Sequence, residues 1–303
     1  ESGHTKTKPQ TLEQKMAAKV NKVYKIVTDK IIEDMQDTNT LPWRRTWHGI
    51  DSYPTSGNSG KRYRGCNVFI LSMMQKTQPN WYTYKQIQAI AKKEKAELSV
   101  KGLKSMPVTY FNFIKKKDKA TGKDTKYPML RFYGVFNAED IKGLPESYLK
   151  KSKKFDHNPI ANCEKILATM TETPVIKHGG NRACYSPTTH MVTMPEKTAF
   201  ETSGEYYSTL FHELIHWTGK KLDRDMSGNF GNESFSTEEL IAEFGAAMLC
   251  GLCGIDNTLQ NSTSYIKGWA AKFKTDEKLI VQAAGKAQKA VDYILGTVFE
   301  NAA

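Results

Sequence analysis

Between Phe211 and Trp217 the chain reads His212-Glu213-Leu214-Ile215-His216, a His-Glu-x-x-His pattern. On a helix, residues i and i+4 stand one turn apart on the same face. The two imidazoles therefore offer two nitrogen donors to one metal ion. Zn²⁺ suits them: a hydrolytic zinc site takes three protein ligands and keeps a fourth position for water. Another divalent ion would accept the same donors. A glutamate beside the first histidine serves such a site as general base, taking a proton from water that the metal has made acidic. The implied chemistry is hydrolysis of a peptide or similar carbonyl bond, with Glu213 as the base.

These residues need a helix, and Tyr207–Thr218 has the spacing for one, with Leu210, Phe211, Leu214 and Ile215 apolar and Gly219 as a C-terminal stop. A third ligand must come from another element. Downstream, Ser236–Ala247 reads as a second helix on which Glu239 and Glu243 share a face. The expected arrangement has Glu239 on the metal and Glu243 hydrogen-bonded to the outer nitrogen of a ligand histidine, orienting it. Glu243 is the alternative ligand, followed by Glu238 and Glu233. Ser236-x-x-Glu239 also forms a capping box, which competes for the same carboxylate. Upstream, Arg182–Pro195 reads as a hairpin turning at Ser186–Thr189, and one of its edges is a candidate strand for receiving extended substrate by β-augmentation.

At 303 residues, 39% hydrophobic and 25% charged, the chain has the composition of a globular protein of about two domains. No apolar run approaches the length of a membrane span, and the polar amino end shows no signal peptide. Five scattered cysteines, odd in number, fit reduced thiols in the cytoplasm better than a disulfide framework. Cys250-x-x-Cys253 has no second pair and reads as buried packing at a helix end. Charge is unevenly spread. Residues 1–157 hold 31 Lys and Arg against 15 Asp and Glu, whereas residues 158–303 hold 13 against 17. A basic half followed by a mildly acidic one points to two units with different partners, the first suited to a polyanion.

Within the basic half, a helical pattern runs from Thr11 to about Met35, a buried helix starts near Val68, and Trp81–Gln86 opens a helix toward Glu97. Residues 107–113 and 130–136, rich in aromatic and β-branched side chains, read as strands, with an exposed tip from Lys115 to Lys126. Residues 146–160 form the expected linker between a domain over 1–145 and another over 161–303. In the second half, a helix near 163–172, a short strand at 173–177 and helices near 262–275 and 277–299 flank the metal segments. Aromatics interleaved with cations suit single-stranded nucleic acid, because bases stack on rings while cations follow the phosphates. The candidates are Trp43, Arg44, Arg45, Trp47, Arg62, Tyr63, Arg64, Trp81, Tyr84 and Lys85, with Trp47, Phe69 and Tyr82 the aromatics most expected in the core.

Several segments together resemble the ArdC-type antirestriction proteins of conjugative plasmids and related mobile elements, including the amino-terminal regions of TraC-type primases. They are Pro42-Trp43-Arg44-Arg45, Tyr63-Arg64-Gly65-x-Asn67, Trp81-x-Thr83-Tyr84-x-Gln86 and Val135-Phe136-Asn137 with Gly143-Leu144-Pro145. To these add His212-Glu213-Leu214-x-His216-Trp217-Thr218-Gly219, Leu222-Asp223-Arg224 and Glu238-Glu239-Leu240-x-Ala242-Glu243. The match departs at Cys66, where the family is more often aliphatic, and at Leu103, where Glu is common. The resemblance implies an α+β fold of two domains: a single-stranded-DNA-binding domain that includes Asn67, then a zincin-like metallopeptidase domain. It also implies protection of incoming plasmid DNA from restriction, in the cytoplasm or in a recipient cell reached with the DNA. Two functions fit: a DNA-tethered zinc peptidase acting on an unidentified protein substrate, or a non-catalytic protein that occludes DNA and keeps a structural metal. A priming activity does not fit, because no carboxylate cluster suits two-metal nucleotidyl transfer.

Overall fold

The computed structural model describes residues 12–44, 53–117, 124–150, 159–226, 237–255 and 263–297. It opens with a long helix, α1 (Leu12–Thr38), which buries Val27, Ile31 and Met35 along one face. A short 3₁₀ turn at Pro42–Arg44 follows. Next come β1 (Thr55–Ser56), α2 (Cys66–Ser72), β2 (Asn80–Thr83) and α3 (Tyr84–Glu94). Trp81 and Tyr82, expected to open a helix, form a strand instead. Their rings alternate across a sheet between paired neighbours, and Thr83 then caps α3 in a reciprocal capping box with Gln86.

Two long strands, β3 (Met106–Lys117) and β4 (Asp124–Asn137), pair in continuous antiparallel register and complete a mixed sheet of order β1-β2-β4-β3. Strand β3 is its outer edge. There the Asn67 side chain accepts from Thr109 N–H at 2.7 Å and donates to Thr109 C=O at 2.8 Å, mimicking a neighbouring strand.

The second half opens with α4 (Pro159–Thr169). A small sheet follows, built from β5 (Val175–His178), β6 (Cys184–Ser186) and β7 (Met191–Met194) in the order β5-β7-β6. The chain then enters α5 (Ser203–Lys221), α6 (Thr237–Cys253), α7 (Thr263–Thr275) and α8 (Leu279–Ile294). Helix α5 starts from a Thr202–Glu205 capping box and runs past Gly219, which is not its stop. The end comes at Leu222 and Asp223, the latter with φ of +50°. Gly219 serves a close approach instead: a Cβ there would lie 2.2 Å from Met226 Sδ.

One hydrophobic core runs through both halves. Trp43 stands edge-on to Phe244 of α6, with ring centroids 4.7 Å apart, and near Phe273 of α7. Polar ties cross the same boundary. Arg64 pairs with Asp292 of α8, and Gly65 N–H donates to Gln288 at 3.1 Å. A smaller cluster of Tyr82, Ile87, Ile90, Ala138 and Ile141 sits under α3.

Candidate metal centre

Helix α5 carries His212, Glu213 and His216, and α6 crosses it. The crossing is close because Gly245 of α6 lies against Ile215: a Cβ on Gly245 would stand 2.5 Å from Ile215 Cδ1. That contact lets α6 present its first turn to the histidines. His212 Nε2 lies 3.1 Å from His216 Nε2, 3.4 Å from one Glu239 oxygen, and the other Glu239 oxygen lies 3.5 Å from His216 Nε2. With metal–ligand lengths near 2.1 Å, a tetrahedral ion has ligand–ligand edges of about 3.4 Å, so the three donors fit it. Among the described residues this is the one group of three or more such donors that converges in this way. Glu239 thus faces the imidazoles. Ser236, its expected capping partner, falls outside the described residues.

The outer nitrogen of His216 is held, but not by Glu243. His216 Nδ1 lies 3.2 Å from Glu238 Oε1. Arg224 grips the same carboxylate with two hydrogen bonds, at 2.9 and 3.0 Å, and also donates to Thr218 Oγ1 and to the Ile215 carbonyl. The orienting role expected of Glu243 therefore falls to Glu238. Glu243, one turn further along α6, accepts instead from the Trp43 indole N–H at 2.7 Å, both groups buried. The reason is position along the helix: Glu238 and Glu239 both lie in the first turn of α6, which meets His216, whereas Glu243 lies about 6 Å further along the axis. Arg224 lay in a segment of the family resemblance without a role, and only the fold supplies one. His212 Nδ1 is buried with no hydrogen-bond partner among the described residues.

Electrostatics follow the same contacts. Burial would lower the His216 pKa, but hydrogen bonds to Glu238 and Glu239 outweigh it and bring the imidazole up to about 9. Burial would raise the Glu239 carboxyl, yet hydrogen bonds from both histidines hold it well below the usual carboxylate range. Glu238 is lowered in the same way: burial opposes, His216 and Arg224 prevail. Glu213 is buried, and one of its oxygens accepts the Tyr185 backbone N–H at 2.7 Å. Tyr185 belongs to β6, one of the two edge strands of the small sheet, in the expected hairpin region. The base and the edge strand are thus in direct contact.

The residues expected at nucleic acid divide. Trp43 and Trp81 are buried and offer no ring face to a base, and buried Asn67 is spent on the β3 edge. These three serve the core and the sheet, because bulky rings and a strand-capping amide stabilise most where water is excluded. Tyr63 is half-buried, and Arg64 is engaged by Asp292. Arg62, Tyr84 and Lys85 are exposed, with the Arg62 guanidinium 5.5 Å above the Tyr53 ring. Arg45 and Trp47, and the side chain of Arg44, lie outside the described residues. All five cysteines are free thiols, and Cys250 and Cys253 are buried at the end of α6. Among the described residues no helix is long and apolar enough to cross a membrane.

Comparison with known proteins agrees with this architecture. Residues 21–136 match the N-terminal domain of anti-restriction factor ArdC, and residues 161–286 match the zincin-like metallopeptidase family. The chain is 32% identical over 293 residues to a DNA primase TraC of Escherichia coli and 33% identical over 292 residues to a second. These matches cover 90% and 89% of this chain but only 20% and 26% of the primases' own length. The crystal structure of the antirestriction ArdC protein from plasmid R388 superposes with a TM-score of 0.70 at 34% identity, covering 90% of this chain and 97% of that one. Its Mn(II)-bound form gives 0.67 at 32% identity. A divalent ion therefore suits the donors described above. On its motifs, its fold and the near-complete coverage of the R388 protein, the chain belongs to the ArdC-type antirestriction protein family.

Proposed function

We propose that the chain is a single-stranded-DNA-binding antirestriction protein of a mobile element that carries a zinc metallopeptidase-type centre. In this reading residues 1–145 bind DNA, residues 146–160 connect, and residues 161–303 hold the metal and act on a protein substrate. The observation that carries the chemical part is the convergence of His212, His216 and Glu239 beside a buried Glu213 that touches an edge strand. Bound Zn²⁺ would supply a Lewis acid that polarises a carbonyl and acidifies water. The protein's share is distinct from that. Glu238 and Arg224 fix the His216 ring, leaving its Nε2 directed at the centre. Glu213 is steered through one oxygen by Tyr185 N–H, and its other oxygen is the atom that accepts the proton of the attacking water. The outer edge of β6 aligns an extended peptide beside it by backbone pairing.

Free thiols and the basic first half fit a cytoplasmic DNA-binding role. That charge asymmetry also favours a second reading, in which the protein occludes DNA without cleaving anything. Glu213→Gln separates the two. Metal content should hold in this variant, and loss of restriction protection with metal retained supports the peptidase. Full protection with metal retained supports occlusion.

A further inference from the structure

With Trp43 and Trp81 buried, the basic half needs other rings to receive bases, and β3 and β4 expose four. Tyr110, Phe111, Phe132 and Tyr133 are between 40 and 57% exposed. Strand register sorts them. Val108 lies opposite Tyr133 and Tyr110 opposite Arg131, whereas Thr109 lies opposite Phe132 and Phe111 opposite Leu130. Directly opposed residues share a face and successive residues alternate, so Tyr110, Arg131 and Tyr133 stand together on one side. That side is continuous with the core at its base, where Met106, Val108 and Val135 are buried. Beyond Val108 it opens to solvent. A cluster of large rings left partly open to water marks a binding surface.

Charge identifies the occupant. Arg131 is exposed and sits directly opposite Tyr110, two residues from Tyr133. Residues 98–117 contain five lysines and no acid. Further along the ribbon Lys115 is registered directly against Lys126. Tyr63, which lies between Arg62 and Arg64 in the chain, stands within electrostatic reach of Tyr133. Rings flanking a cation make a stacking platform, whereas a duplex hides the faces of its bases.

We propose that the Tyr110–Arg131–Tyr133 face of the β3–β4 ribbon is the base-stacking surface for single-stranded DNA. This rests on the DNA-binding reading above and gives it a location. The rings stack bases in any sequence, and Arg131 contacts the intervening phosphate.

The experiment measures binding of the full chain to a fluorescent 30-nucleotide oligo-dT over a series of salt concentrations. Tyr110→Ala/Tyr133→Ala should weaken binding by about 30-fold or more, at an unchanged slope of log affinity against log salt. Tyr110→Phe/Tyr133→Phe should restore it to within about three-fold, because a phenyl ring still stacks. Arg131→Ala should make the slope shallower by about one. Thermal melting checks that each variant is folded, and the phenylalanine pair, which keeps the packed part of each ring, should melt with the wild type. If the wild type binds and the alanine pair binds equally well, the ribbon is not the site. Loss through Phe111→Ala/Phe132→Ala instead, or a duplex that competes as well as the single strand, also overturns it. No binding by the wild type removes the DNA-binding reading itself.

Discussion

Trp43→Phe separates a core role for this tryptophan from a DNA-contacting one. The substitution keeps an aromatic ring against Phe69, Phe244 and Phe273 but deletes the N–H that reaches Glu243 at 2.7 Å. Removing one partner of a buried hydrogen bond costs about 1–3 kcal/mol, because the group left behind keeps its desolvation penalty. The smaller ring leaves unfilled space worth roughly another 1 kcal/mol. Together these lower stability by about 3 kcal/mol, and the urea midpoint should fall by about 1 M or more. Affinity for single-stranded DNA should stay within about two-fold, because Trp43 has no exposed ring to stack. The assay pairs urea unfolding with anisotropy on the same preparation. An unchanged midpoint together with a ten-fold loss of DNA affinity would refute the burial argument.

Other perturbations probe the metal site. Glu238→Gln removes the charge that holds His216 Nδ1 and should weaken metal affinity by about 10-fold or more in chelator competition. Gly245→Ala forces a methyl against Ile215 and should cost about 1–3 kcal/mol of stability in urea unfolding, with weaker metal binding as α5 and α6 separate. In the metal-free protein His216 stays protonated up to about pH 9. Its raised pKa means that the imidazolium–carboxylate contacts stabilise that form fully below about pH 6.5 and are lost as pH rises through about 9. Metal must expel this proton, so calorimetry at pH 7.5 in buffers of different ionisation enthalpy should show proton release on metal binding.

Local patterns were legible in the sequence, and long-range facing was not. His212, Glu213 and His216 could be read because their relation is one helical turn. Glu239 could be named the leading candidate for third ligand because its helix is the carboxylate-rich element downstream. The choice between Glu238 and Glu243 for orienting His216 depended on how α6 crosses α5, which Gly245 and Ile215 decide across thirty residues of sequence. Trp43 and Trp81 shared their composition signal with true stacking residues, since a ring beside arginines reads alike buried or exposed. Conversely, Tyr110, Phe111, Phe132 and Tyr133 read as ordinary strand formers, and only the fold shows that they stay partly open to water. Gly219 marked a close contact with Met226 rather than a helix end.

The central claim is that His212, His216 and Glu239 together hold a divalent ion. Elemental analysis of the wild type, Glu239→Ala and Glu243→Ala after incubation with zinc tests it most directly. About one ion per chain is expected in the wild type, with metal lost in Glu239→Ala and retained in Glu243→Ala. Full occupancy in Glu239→Ala, or loss confined to Glu243→Ala, would contradict the assignment.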